Sequence, residues 1–173
     1  AVSRVADYAK AQPELAWITG RGWNQEQWPS RSFPNASQLD EVVSDRPVYL
    51  TRVDGHAGWA NRKALELAGI DAGTVAPDGG EIIKDANGEP TGVLIDNAMA
   101  LVESIIPEPT AAEKKKAFAL AFEHLLALGI TSVHDAGVPA TDLSIYKGLQ
   151  HQGLLPLRIY AMIAATEPQL PQL

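Results

Sequence analysis

The chain has 173 residues, 46% of them hydrophobic, enough for one medium domain or for a domain with part of another. Its formal net charge of -7 argues against nucleic acid and anionic membrane surfaces as partners, and no apolar run approaches the ~20 residues that span a bilayer. The absence of cysteine removes disulfides, thiolate metal sites and cysteine nucleophiles, and leaves the compartment open.

Val2, Val5, Ala6 and Ala9 recur at helical spacing and predict a helix from about Ser3 to Ala11. Leu15 to Thr19 reads as a short strand that empties into a glycine-rich loop, Gly20-Arg-Gly-Trp-Asn24. Pro29, Ser30, Ser32 and Pro34 mark Gln25 to Asn35 as irregular. Ser37 is expected to cap a short helix reaching Val43, and Pro47 to Val53 is the next strand, running into Asp54-Gly-His-Ala57. The apolar stripe Ala60, Ala64, Leu65, Leu67 and Ala68 predicts a helix stopped by Gly69. Glu81 to Lys84 and Thr91 to Ile95 flank Asn87-Gly88, the pattern of a β-hairpin. A helix is expected over about Asn97 to Ile105, ended by Pro107.

Thr110 with Glu113 forms a capping box opening a helix with Phe118, Ala121, Phe122, Leu125 and Leu128 on one face. Its triple lysine, Lys114 to Lys116, reads as a solvated outer face. After Gly129 comes an apolar strand, Ile130 to Val133, ending in His134 and Asp135. A helix from about Asp142 to Gln152 and an apolar run, Leu157 to Ala164, complete a βαβ pattern with parallel strands. The fold class is therefore α/β, with a mixed α+β region from about Leu15 to Pro107 and a wound segment from about Thr110. The opening on Ala1 without an initiator methionine, directly into helical pattern, reads as an internal piece of a longer protein.

No His-x-His, nucleophile elbow, P-loop or dinucleotide fingerprint is present. A polar pair at the end of a buried strand is where (β/α) barrels place their chemistry, which singles out His134 and Asp135. Adjacent residues of a regular strand point to opposite faces, so one member of that pair is expected at a site and the other in support. His56, between a strand and a helix and close to Trp59, is the second candidate. Asp96 is either a helix N-cap or a site carboxylate. Asn61 either caps or contacts a ligand, and Arg52 pairs with Asp54 or Asp45. Trp17, Trp23, Trp28 and Trp59 read equally as pocket lining or as packing. His124 reads as a flanking surface residue, and His151 as a cation suited to a helix C-terminus.

Three segments, Asp54-Gly-His-Ala-Gly-Trp-Ala-Asn-Arg-Lys-Ala-Leu65, Pro90-Thr-Gly-Val-Leu94 and Gly129-Ile-Thr-Ser-Val-His-Asp-Ala-Gly137, occur in an order that resembles family 3 of the metal-dependent amidohydrolases, the group with N-substituted formamide deformylase. Gly20-Arg-Gly-Trp23 and Leu39-Asp40 resemble it too. The resemblance implies a hydrolase of amide or related C–N bonds, built on a TIM-type (β/α) barrel with a divalent metal, usually zinc, that activates water. By that resemblance, residues 1–14 would be a barrel helix remnant and 15–107 an α+β insertion domain, with its hairpin, that covers the active site. Residues 108–173 would be a partial barrel segment. It further implies His134 as the catalytic wall residue, His56, Trp59 and Trp23 as substrate contacts, and Asp96 as a metal-bridging carboxylate. The family's other metal ligands have no counterpart in this chain, so the isolated chain is expected to bind no metal tightly and to be inactive. A small amide-type substrate is the expected partner, and exposed strand edges favour a homodimer or domain exchange. The alternative is a binding or assembly module that kept the fold without catalysis.

Overall fold

The computed structural model describes residues 1–164 and divides the chain into two compact units, with the boundary between Pro107 and Glu108. In the first unit, helix α1 (Val2–Ala11) precedes strand β1 (Ile18–Trp23), helix α2 (Ala36–Asp40), and strands β2 (Val48–Arg52) and β3 (Ala57–Ala60). Helix α3 (Arg62–Leu67), strands β4 (Gly80–Lys84) and β5 (Pro90–Asp96), and helix α4 (Ala100–Glu103) complete it. The strands form one mixed sheet in the order β1-β2-β3-β5-β4, parallel only between β1 and β2.

The period-2 alternation of the strands divides the core in two. Val48 and Leu50 of β2, with Ala57 and Trp59 of β3, pack on one face with Val5, Ala9 and Leu39. Tyr49 and Ala60 turn to the other face and meet Ala64, Leu65, Leu94 and Val102. Both faces are therefore covered, which accounts for four successive buried residues in β3.

Sequence boundaries moved where pairing outweighed local preference. β1 starts at Ile18, three residues later than expected, and continues through the glycines read as loop, because Ile18 to Arg21 pair in register with Val48 to Thr51. The irregularity falls between Arg21 and Trp23, at Gly22 with its positive φ of 96. β3 has no local signal in the sequence: Ala-Gly-Trp-Ala has little intrinsic strand preference, and two ladder partners supply what propensity does not. Helix α2 is capped by Asn35 rather than Ser37, in a capping box with Gln38. The helix expected over Asn97–Ile105 is a 3-10 turn at Asn97–Met99 followed by the single turn of α4.

Residues 1–14, set apart in the sequence reading, pack within the first unit. Arg46 binds them there: Nη1 donates to the carbonyls of Gln12 (2.9 Å), Pro13 (3.2 Å) and Leu15 (3.2 Å), and Nη2 to that of Ala9 (3.0 Å). The Ala9 carbonyl lies in the last turn of α1, where a helix C-terminus leaves carbonyls without partners, and the other three belong to the residues that lead from α1 to β1. Arg46→Met keeps the apolar stem and removes all four bonds. It is expected to destabilise the α1 docking by about 2 kcal/mol, read as faster amide exchange across Val2–Ala11.

In the second unit, helix α5 (Ala111–Ala127) leads to strand β6 (Ser132–Val138), helix α6 (Ala140–His151) and strand β7 (Arg158–Ile163). The Thr110–Glu113 capping box is present, and β6 and β7 are parallel, as the spacing predicted. Phe122, Val138, Tyr146 and Leu157 are the buried centre, with Phe118 and Leu125 against them. Leu128, expected on that face, is exposed. Residues 165–173, part of the expected 108–173 segment, lie outside the described residues.

Candidate functional site

The β2–β3 connection is the chemically richest part of the first unit. The chain leaves β2 at Arg52, turns at Gly55 (φ 81), and re-enters the sheet at Ala57. Arg52 is held by two neighbours: Nε donates to Gln25 Oε1 at 2.8 Å, and Nη1 donates to Asp54 Oδ2 at 2.5 Å. The second oxygen of Asp54 accepts the backbone N–H of His56 at 3.1 Å. That N–H, and then the Arg52 charge, hold the Asp54 carboxyl below its usual range. Arg52 thus selects Asp54; Asp45 lies instead beside Arg46, at 3.5 Å.

His56 and Asp96 are brought together across 40 residues of sequence. Ala57 is registered opposite Ile95 in the antiparallel β3–β5 pair, so the next residues outward, His56 and Asp96, face each other. Asp96 N–H donates to the His56 carbonyl at 3.1 Å, and His56 Nδ1 lies 2.7 Å from Asp96 Oδ1. That bond, and the negative charge behind it, raise the His56 pKa above the ordinary histidine value. Both side chains are open to solvent, at 74% and 47% exposure. Asp96 makes no helix-capping bond, and its φ of 46 is a left-handed value rarely taken by residues other than glycine.

The other candidates sit elsewhere. Trp59 is 1% exposed and donates its indole N–H to the Asn35 carbonyl at 3.1 Å. Trp23 is 5% exposed, donates to the Leu50 carbonyl at 2.8 Å, and packs at 6.1 Å from both Trp28 and Trp59. Both tryptophans are thus members of the core. Trp23 and Trp28 also border a groove of about 560 Å3 along β1, with Arg4, Tyr8 and Arg21 on its walls. Asn61 is wholly buried and caps α3, and is a structural residue.

In the second unit, His134 and Asp135 lie within β6 rather than at its end, because pairing with β7 carries the strand on to Val138. They alternate as a regular strand requires. His134 is on the exposed face beside its register partner Tyr160, with ring centroids 5.3 Å apart. Asp135 turns to the helical side and accepts a 2.9 Å bond from the Tyr146 hydroxyl. Burial first, and then this carboxylate, raise the Tyr146 pKa, so the phenol stays a donor. Asp135 therefore supports the fold by anchoring α6. His124 is exposed, and His151 occupies the last turn of α6.

Among the described residues, no three His, Asp or Glu side chains converge as a metal site requires. The donor set of the described residues does not make a complete metal centre, and among them Asp96 is joined by His56 alone.

The model of the amidohydrolase family matches residues 1–172. The chain is 41% identical to Protein LONG AFTER FAR-RED 3 of Arabidopsis thaliana, over 77% of this chain and 23% of that protein. It is 34% identical to N-substituted formamide deformylase of Arthrobacter pascens, over 85% of this chain and 28% of that enzyme. The crystal structure of an uncharacterized metal-dependent hydrolase from Pyrococcus horikoshii superposes with a TM-score of 0.61 at 25% identity, covering 94% of this chain and 31% of that one. The chain thus spans less than a third of the length of each of these three proteins.

Proposed function

This chain belongs to the amidohydrolase family, and on that premise we propose that it is part of a metal-dependent hydrolase of amide or related C–N bonds. The observation that carries the reading is the family match over residues 1–172, in a chain spanning 28% of a relative named as a deformylase. The likeness to a metal-dependent hydrolase points the same way. In this reading residues 108–173 contribute strands to a TIM-type barrel, and residues 15–107 are its α+β insertion, covering the active site of the complete enzyme. His134 is a wall residue of that site, and His56, with Trp59 and Trp23 shaping its surroundings, contacts a small amide-type substrate. The ligands of the metal, zinc by the family's habit, come from the remainder of the protein.

Two measurements test this. The isolated chain is expected to purify without stoichiometric zinc and without amidase activity; one-to-one zinc with measurable turnover overturns the division of ligands. In the complete protein, His134→Ala and His56→Ala are each expected to lower hydrolysis by about 10²-fold or more, the scale of losing one positioned group at an active site. Wild-type rates in both variants remove this chain's residues from the site. The lack of a convergent ligand set among the described residues also suits a binding or assembly module. A full-length gene lacking a His-x-His pair favours that second reading, and one containing it favours the enzyme.

A further inference from the structure

We propose that His56, oriented by Asp96, is a proton-accepting group that the first unit supplies to the hydrolysis, with Asp96 its positioning residue and not a metal ligand. The inference rests on the hydrolase reading for its reaction, but the dyad itself is defined by geometry alone.

Every polar group of His56 except one has a partner. Its backbone N–H is held by Asp54, its carbonyl by the Asp96 N–H, and its ring Nδ1 by Asp96 Oδ1 at 2.7 Å. Nε2 has no partner among the described residues. A carboxylate only accepts hydrogen bonds, so the proton on the neutral ring lies on Nδ1 and the lone pair on Nε2. The ring is thus oriented, and its free nitrogen is directed away from its holder.

The carboxylate is reserved for this purpose. The nearby cation, Arg52, is spent on Asp54 and Gln25, leaving Asp96 to the imidazole. Asp96 does not cap the turn that follows it, and no third ligand group approaches it among the described residues. It is also one of only two non-glycine residues at positive φ among the described residues. Strained backbone of this kind persists where surrounding structure holds it, and it gathers at functional sites.

The chemistry follows from the arrangement. As the oxygen of an attacking water bonds to the substrate carbonyl carbon, Nε2 takes the proton that water releases. The Nδ1–H stays on Asp96, whose charge stabilises the imidazolium. The same proton passes to the departing nitrogen as the C–N bond breaks, and the imidazole returns to its starting state.

The full chain permits a test that needs no turnover. Diethyl pyrocarbonate acylates an imidazole nitrogen through its lone pair. His124, His134 and His151 are exposed like His56, so accessibility alone predicts four similar rates. At a pH where all four rings are neutral, peptide mass spectrometry is expected to show His56 modified several-fold faster than the other three. Long-range 1H–15N spectra are expected to show the Nδ1–H tautomer at His56. Asp96→Gly keeps a residue at ease with positive φ and removes the carboxylate. In it the His56 rate is expected to fall to that of the others and the Nε2–H tautomer to predominate. If that variant does not fold, Asp96→Asn serves, with the lower rate alone expected. An Nε2–H tautomer in the wild type, or four equal rates, overturns the proposal. So does one-to-one binding of added zinc chloride with shifts at both His56 and Asp96. An inactive complete protein would sink the hydrolase reading while leaving these signatures in place.

Discussion

Asn61→Asp is expected to lower the stability of the first unit by about 4 kcal/mol, because it leaves two buried carbonyls without a donor and sets a carboxylate against them. Asn61 Oδ1 accepts from Val48 N–H at 2.9 Å and Ala64 N–H at 3.0 Å. Its Nδ2 donates to the carbonyls of Val43 and Arg46, both at 2.9 Å. One side chain thus caps α3, ends the β2–β3 ladder and ties down the approach to β2. Aspartate matches its shape and both accepting bonds, so the loss reports the missing donors together with the cost of the buried carboxylate. All four tryptophans, Trp17, Trp23, Trp28 and Trp59, lie in the first unit. Urea unfolding followed by tryptophan fluorescence therefore reads that unit separately from the second. A midpoint equal to wild type would show that the amide donors contribute nothing.

Gly92→Ala is expected to be as damaging, at about 4 kcal/mol, by combining backbone strain with overpacking. Gly92 has a φ of 103, and a Cβ there would lie 2.5 Å from the Ala60 carbonyl oxygen and 2.9 Å from Ala36 Cβ. Neither neighbour is the end of a flexible side chain, so β3 or α2 must move. The control is Gly88→Ala in the hairpin turn, where φ is 86 and nothing lies within 4 Å. It carries the conformational penalty without the clash and is expected to cost about 1 kcal/mol. The same fluorescence-detected unfolding compares the two, and equal losses would assign the whole effect to φ.

Both residues show how the resemblance motifs divide between structure and chemistry. Asn61 and Trp59 stand in the segment Asp54–Leu65, and Gly92 in Pro90–Leu94, yet all three are explained by packing and hydrogen bonding. The sequence leaves Trp59 open between pocket lining and packing, and Asn61 between cap and ligand contact. Burial, which depends on both faces of the sheet being covered, sets Trp59 in the core and Asn61 as the cap of α3. Asp96, open in the sequence between helix cap and site carboxylate, makes no cap and instead binds the His56 ring. Its partner is 40 positions away, and only the register of β3 on β5 joins them.

Local physics is legible in sequence when the interaction is short-ranged. The Thr110–Glu113 capping box, the stops at Gly69 and Gly129, the hairpin about Asn87-Gly88 and the parallel βαβ of the second unit all follow from neighbours within one element or one crossover. The alternation of His134 and Asp135 to opposite faces belongs to the same class, since it needs only a regular strand. Tertiary structure decided the rest. It made Ala57–Ala60 a central strand, drew β1 through its glycines, bound α1 to the first unit through Arg46, and paired His56 with Asp96. Each of these depends on ladder register or on a side chain reaching more than 30 residues along the chain, and no local propensity encodes either.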